Sequence, residues 1–460
     1  MFNQIKKNYI LIILLPLLVN FLTNIFTEGY TFEHLVIYDF ISSILIFFYL
    51  FSVGYNYKSI NKNMTITFGI ITYLLSFFIF ETFALFVYQD LNLNIAFYTT
   101  NIFWFFYFLT FLRKKRLLFV NLLLYSLMFY FNNQFLDLMT VNANVTMDVA
   151  SVFLPNTINI YEYSYKFSIS NPTMLGYPQF MSYIDALLLK MSFGLEKYSF
   201  LISNTFLFFW LNLLLLSELK TSKKNKVFIC LFFIVLILNS NWLQFLFTSS
   251  LMSERIAGYL MAGILVTLFK IKNPTFKESA SIFFILSFVY ITKQFFSIIV
   301  LILFVVFIFN KQYRKGSLFI FSSFLINETT YLTYFSNLPR EHHIRQIDIR
   351  DTILDLLLFR DLTLSNIFEI FKNLWIDKPM TYLIFISFLS YFIALFKKKS
   401  SFETNLYFFI IILNLLFILL LYISAWRQME LESPIRYMYS FLIFYLILIL
   451  KNFDTRKNSY

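Results

Sequence analysis

The chain has 460 residues, 59% of them apolar and only 13% charged, with a net charge of +12. A typical soluble domain carries about 25% charged residues, so an ordinary water-soluble fold is excluded. The single cysteine, Cys230, excludes an intrachain disulfide and a cysteine-based metal site.

In chain order, apolar runs near twenty residues recur from end to end, each close to the length that crosses a hydrocarbon core of about 30 Å. They predict an all-α polytopic membrane protein with about fourteen transmembrane helices, roughly at 9–25, 35–53, 65–87, 95–112, 117–136, 198–216, 227–243, 255–269, 279–292, 295–309, 316–334, 381–396, 406–423 and 437–450. The first run follows Lys6 and Lys7 as the core of a signal peptide would. It lacks a small-x-small cleavage site and leads into further spans, so it reads as a retained helix. Short basic clusters, "RKKR" (Arg113 to Arg116), "KTSKKNK" (Lys220 to Lys226) and "KKK" (Lys397 to Lys399), all fall on one side of this alternation. Basic residues mark the cytoplasmic side, which puts both termini inside. The positive charge is therefore a topological signal, and no nucleic-acid partner is expected.

That topology places every long hydrophilic segment outside: about 137–197, about 336–380, and the short "SAWRQMELESPIR" from Ser424 to Arg436. The chain divides into four leading helices of unknown role (1–116), a core carrying the first outer loop (117–334, with the loop at 137–197), a second outer loop (335–380) and the C-terminal helices (381–460). The cytoplasmic links are too short to fold into a domain of their own. Only 8 glycines occur, whereas alternating-access carriers tend to need Gly- or Pro-interrupted helices at the substrate site.

The first outer loop has structure of its own. Asn142 to Asn159 is fairly polar and interrupted by Pro155, which reads as loop with a short helix from about Met147 to Phe153. "SISNPTMLGYPQF" carries Asn-Pro, Gly and Tyr-Pro turn signals. In "FMSYIDALLLKMSFG" (Phe180 to Gly194), Met181, Ile184, Leu187, Leu188 and Met191 recur at helical spacing. This predicts an amphipathic helix lying in the outer interface with its apolar side down.

Within these segments "MDVASVFLPNTINIYEY" and then "GYPQF" resemble the first outer loop of the GT-C glycosyltransferases, in particular bacterial members that use polyprenyl-phosphate sugars. The matching positions are Asp148, Phe153 to Pro155, Tyr161 and Tyr177-Pro178. "SSLMSERIAGYLMAGILVTLF" resembles the family's later outer turn, with Glu254 where Asp is commoner. "FVYITKQFFSIIVLILF" resembles its Lys-bearing turn, with Lys293, and "SPIRYMYSFLIFYLIL" its last helix, with Arg436-Tyr437. The resemblance spans about 117–450 and leaves 1–116 unexplained.

What the resemblance implies is inverting transfer of a sugar from a polyprenyl-phosphate donor to a lipid or glycan acceptor at the outer leaflet. Such a displacement needs one carboxylate to take the acceptor's hydroxyl proton and cations to hold the departing lipid phosphate. Asp148 is the candidate base and Glu254 the second acid. Lys293, Arg436 and Arg345 are candidates for the phosphate, and Tyr161, Tyr177 and His342 for the substrate. No cofactor is required, and a divalent metal, if used, would sit on Asp148 and Glu254.

Each residue also has a plainer explanation. Asp148 would serve as a helix cap, Glu254 with Arg255 as an interfacial ion pair, Lys293 as a snorkelling cation, and Arg436 as a helix anchor. Tyrosines are common at any membrane interface. His342 and His343 are adjacent, point apart on a helix and lack a third ligand at recognisable spacing, so a structural zinc site is not expected. Two other functional classes stay open: an envelope-glycan polymerase or ligase worked by the Arg and His residues of the second outer loop, and a lipid-linked glycan flippase or transporter.

Overall fold

The computed structural model describes residues 33–60, 64–88, 93–109, 119–127, 154–163, 180–191, 199–239, 253–292, 295–322, 378–424 and 438–453. These residues form fifteen helices and no strand. They are α1 (Glu33–Ile60), α2 (Ile66–Tyr88), α3 (Leu93–Leu109), α4 (119–127), α5 (Leu154–Glu162), α6 (Phe180–Met191), α7 (Ser199–Glu218) and α8 (Lys223–Asn239), followed by α9 (Ser253–Lys270), α10 (Phe276–Thr292), α11 (Phe295–Phe309), α12 (313–322), α13 (Lys378–Phe396), α14 (Phe402–Ser424) and α15 (Leu442–Asn452). Among the described residues only α13 is both long and apolar enough to cross a membrane on its own. Several of the expected spans, 9–25 entirely and much of 117–136 and 316–334, lie outside the described residues.

Short capped turns set where the helices begin. Thr275 and Glu278 form a reciprocal box at the start of α10: the Thr275 N–H donates to Glu278 Oε2 (2.7 Å) and the Glu278 N–H to Thr275 Oγ1 (3.3 Å). Ser401 and Thr404 do the same for α14. Thr65 caps α2 by accepting from the Phe68 N–H at 3.1 Å. Glu218, at the end of α7, accepts the next orphan donors of α2, the Ile66 and Thr67 N–H groups.

These turns meet at one end of the bundle. Thr65 Oγ1 lies 3.0 Å from Thr267 Oγ1, and Tyr57 Oη 3.0 Å from Ser281 Oγ. Lys315 donates to the Leu268 carbonyl at 2.8 Å, Asn225 to the Phe453 carbonyl at 2.9 Å, and Lys451 pairs with Glu403 at 3.0 Å. A lysine on a helix's last carbonyls also complements the negative end of its dipole.

Between the ends runs one continuous apolar core drawn from most of the helices. The leading helices α1 and α2 belong to it: α1 packs along α7, and α2 touches α6, α7, α9 and α10. Two glycines let backbones approach. A Cβ on Gly69 would meet the Gly54 Cα at 2.8 Å where α1 and α2 cross, and one on Gly258 would meet the Ser440 carbonyl at 1.9 Å. Gly258→Ala therefore forces α9 away from the turn before α15. The expected cost is about 1–3 kcal/mol, read as a lower unfolding midpoint in detergent with the helical content unchanged. An unchanged midpoint would show that this approach is not needed.

The outer surface of several helices is oily. On α13, Tyr382, Phe385, Leu389, Phe392 and Phe396 form an exposed stripe, while Met380, Leu383, Ser387 and Tyr391 face inward. Phe228, Leu231 and Val235 repeat the pattern on α8.

Candidate functional site

Two expectations for the first polar loop need correction. Residues 154–159 are helix rather than loop: Pro155 is the second residue of α5, in the first turn, where its missing N–H costs no internal hydrogen bond. The segment read as the short helix, 147–153, lies outside the described residues. The second correction is to α6, which forms where expected but does not lie on a surface. Every residue from Met181 to Leu189 is buried, those of the polar side included. The cause is that its polar groups turn inward. Tyr183 donates to the Phe77 carbonyl of α2 at 2.7 Å, and Asp185 meets Asn204 of α7.

Asp185 is the centre of a cluster that sequence reasoning missed. Its carboxyl is 0% exposed and accepts a hydrogen bond from Asn204 Nδ2 at 3.5 Å. Its Oδ2 has no hydrogen-bond partner among the described residues. Burial pushes this carboxyl well above the usual carboxylate range, against the pull of the positive charge of Arg255. Arg255 is itself buried, and its guanidinium stacks over the Phe208 ring of α7, 4.5 Å from the centroid. Helices α6, α7 and α9 thus bring together an acid, an amide and a guanidinium in an apolar surround. Chemically, such a group can hold a proton on the acid or an anion on the arginine. The missed signal was an acid at the centre of an otherwise apolar helical run, "SYIDALLL".

A second cluster joins α5 to α6. The Lys190 ammonium lies 5.8 Å from the ring centroids of both Tyr161 and Phe97. Lys190 is partly buried, and the desolvation lowers its pKa below the ordinary lysine value. Burial likewise raises the Tyr161 phenol, with Glu162 adding to it. Tyr161 is the one expected substrate-binding residue with a described side chain.

The remaining candidates divide simply. Glu254 stands beside Arg255 in the first turn of α9, so the backbone puts it next to the Asp185 cluster, while its side chain is outside the described set. Asp148, Tyr177, Lys293, His342, Arg345 and Arg436 lie outside the described residues altogether. No protein-family model, curated protein or solved structure matches this chain.

Proposed function

We propose that the chain is an integral membrane glycosyltransferase of the GT-C type, with about fourteen spans in the inner (plasma) membrane and both termini in the cytoplasm. It moves a sugar from a polyprenyl-phosphate donor to a lipid or glycan acceptor at the outer face. The observation that carries this reading is the placement of α5 and α6. The long polar segment after α4 is no spacer; its described helices are built into the bundle and deliver a buried acid beside a guanidinium. The exposed apolar stripes of α8 and α13 support the membrane environment, because patches of that kind on a water-soluble protein are costly.

In the proposed reaction the acceptor oxygen attacks the anomeric carbon as the carbon–oxygen bond to the lipid phosphate breaks. Asp148 takes the acceptor's proton and polyprenyl phosphate leaves as an anion. Lys293, Arg436 and Arg345 supply positive charge to that phosphate, with arginine able to hold two oxygens at once. Glu254 is the second acid of the site, and Tyr161, Tyr177 and His342 contact the sugar or acceptor. Asp185 and Arg255 act as positioning residues that hold the loop helices against the bundle.

The test is donor consumption by the purified chain in lipid, with a panel of labelled polyprenyl-phosphate sugars and mixed envelope acceptors. Release of free polyprenyl phosphate together with labelled acceptor is the expected result. Movement of labelled lipid across the bilayer without release would replace this reading with a transporter.

A further inference from the structure

The proposed chemistry gives the leading helices no task, yet they frame a cleft of about 410 Å³ between α1, α3 and α4. That volume falls within the range of small-molecule pockets, about 300–1,000 Å³. Tyr49, Trp104, Phe105 and Tyr125 line it, and among the described residues no charged side chain does. Its mouth opens between Tyr98, Ile102 and Leu122, all exposed apolar residues on the flank of the bundle rather than at its ends.

The polar groups of the cleft are not equivalent. Asn101 is satisfied: its Oδ1 accepts from the Tyr49 and Tyr73 hydroxyls and its Nδ2 donates to the Phe97 carbonyl. Asn121 also lines the cleft and is 5% exposed, but neither Oδ1 nor Nδ2 of its amide has a hydrogen-bond partner among the described residues. A buried amide left in this state destabilises the fold. A single group that both donates and accepts would satisfy both of its atoms.

We propose that this cleft binds a neutral long-chain alcohol, its hydroxyl paired with the Asn121 amide and its hydrocarbon chain on the aromatic wall. A hydroxyl carries one donor and two acceptor positions, so one group satisfies both halves of the amide. A carboxylate cannot donate, and its charge would have no counterion among the lining residues. An alkane leaves the amide as it was. The sideways mouth admits the ligand from the apolar phase around the helices. The inference stands on this cleft alone and does not depend on the glycosyltransferase reading.

Trp104 in the wall provides the readout. The full-length chain in lipid discs is titrated with a long-chain alcohol brominated near its hydroxyl, and tryptophan quenching is followed. Expected is saturable quenching that is competed by the unbrominated alcohol, resisted by the matching fatty acid and alkane, and mostly abolished in Trp104→Phe. Asn121→Leu, close in shape and free of the orphan amide, should weaken binding about tenfold without lowering the unfolding midpoint. Ile102→Phe, at the exposed mouth, should block binding without adding a tryptophan to the readout. Quenching that is equal for alcohol, acid and alkane and indifferent to both substitutions would overturn the proposal. Binding blocked by Ile102→Phe but unaffected by Asn121→Leu would overturn the hydroxyl–amide pairing, and with it the preference for an alcohol.

Discussion

Asp148→Asn is expected to lower sugar transfer by about 10²- to 10⁴-fold, the range attributable to one positioned general base, while the yield and melting of the protein stay as they were. Asparagine keeps the size and the hydrogen-bonding oxygen but cannot take a proton, so donor and acceptor would still bind. The loss should therefore appear in turnover rather than in the donor concentration giving half-maximal rate. A loss confined to the half-maximal donor concentration would make Asp148 a binding residue, with Glu254 the next candidate base. If Arg345 and His342 variants lost activity while Asp148→Asn kept it, the polymerase or ligase reading would take over.

The all-helical class and the starts of several described helices were legible because apolar run length is a strong signal. The starts of α2, α9, α10, α11 and α14 lie within a few residues of the expected spans, and the short polar turns between them carry their own caps at Thr65, Thr275 and Ser401. Pro155 misled because a proline reads as a break when its place in a helix is unknown, whereas in the first turn it is favourable.

The α6 helix misled for a different reason. Its apolar spacing was read correctly, but a periodic face shows only which side is oily and not what covers the other side. Tyr183 and Asp185 could not be assigned partners without knowing that Phe77 and Asn204 lie opposite, and those contacts span 106 and 19 residues of sequence. Arg255 was legible only as the neighbour of Glu254. Its relation to an acid seventy positions earlier is a property of the packing of α6, α7 and α9.

Arg255→Met is expected to destabilise the protein by an amount that depends on pH, and the dependence is the informative part. With Arg255 gone, Asp185 loses the positive charge that opposes its burial. Near pH 5 the acid can answer by keeping its proton. The cost then includes the lost stacking on Phe208, about 1–2 kcal/mol. Near pH 9 the variant must either bury an uncompensated carboxylate or hold a proton against its solution concentration. The cost should climb toward the roughly 3–5 kcal/mol of a broken buried pair. In the native chain the carboxyl's folded pKa already exceeds its unfolded value. The folded state binds the extra proton, and stability falls as pH rises from about 4 through that raised value. Removing Arg255 raises the folded value further and extends the fall to higher pH. Adding Asp185→Asn to Arg255→Met removes the titrating group and should return most of the high-pH loss, leaving a melting profile nearly flat with pH. A penalty that is constant with pH and unrelieved by Asp185→Asn would show that Arg255 serves some group other than Asp185.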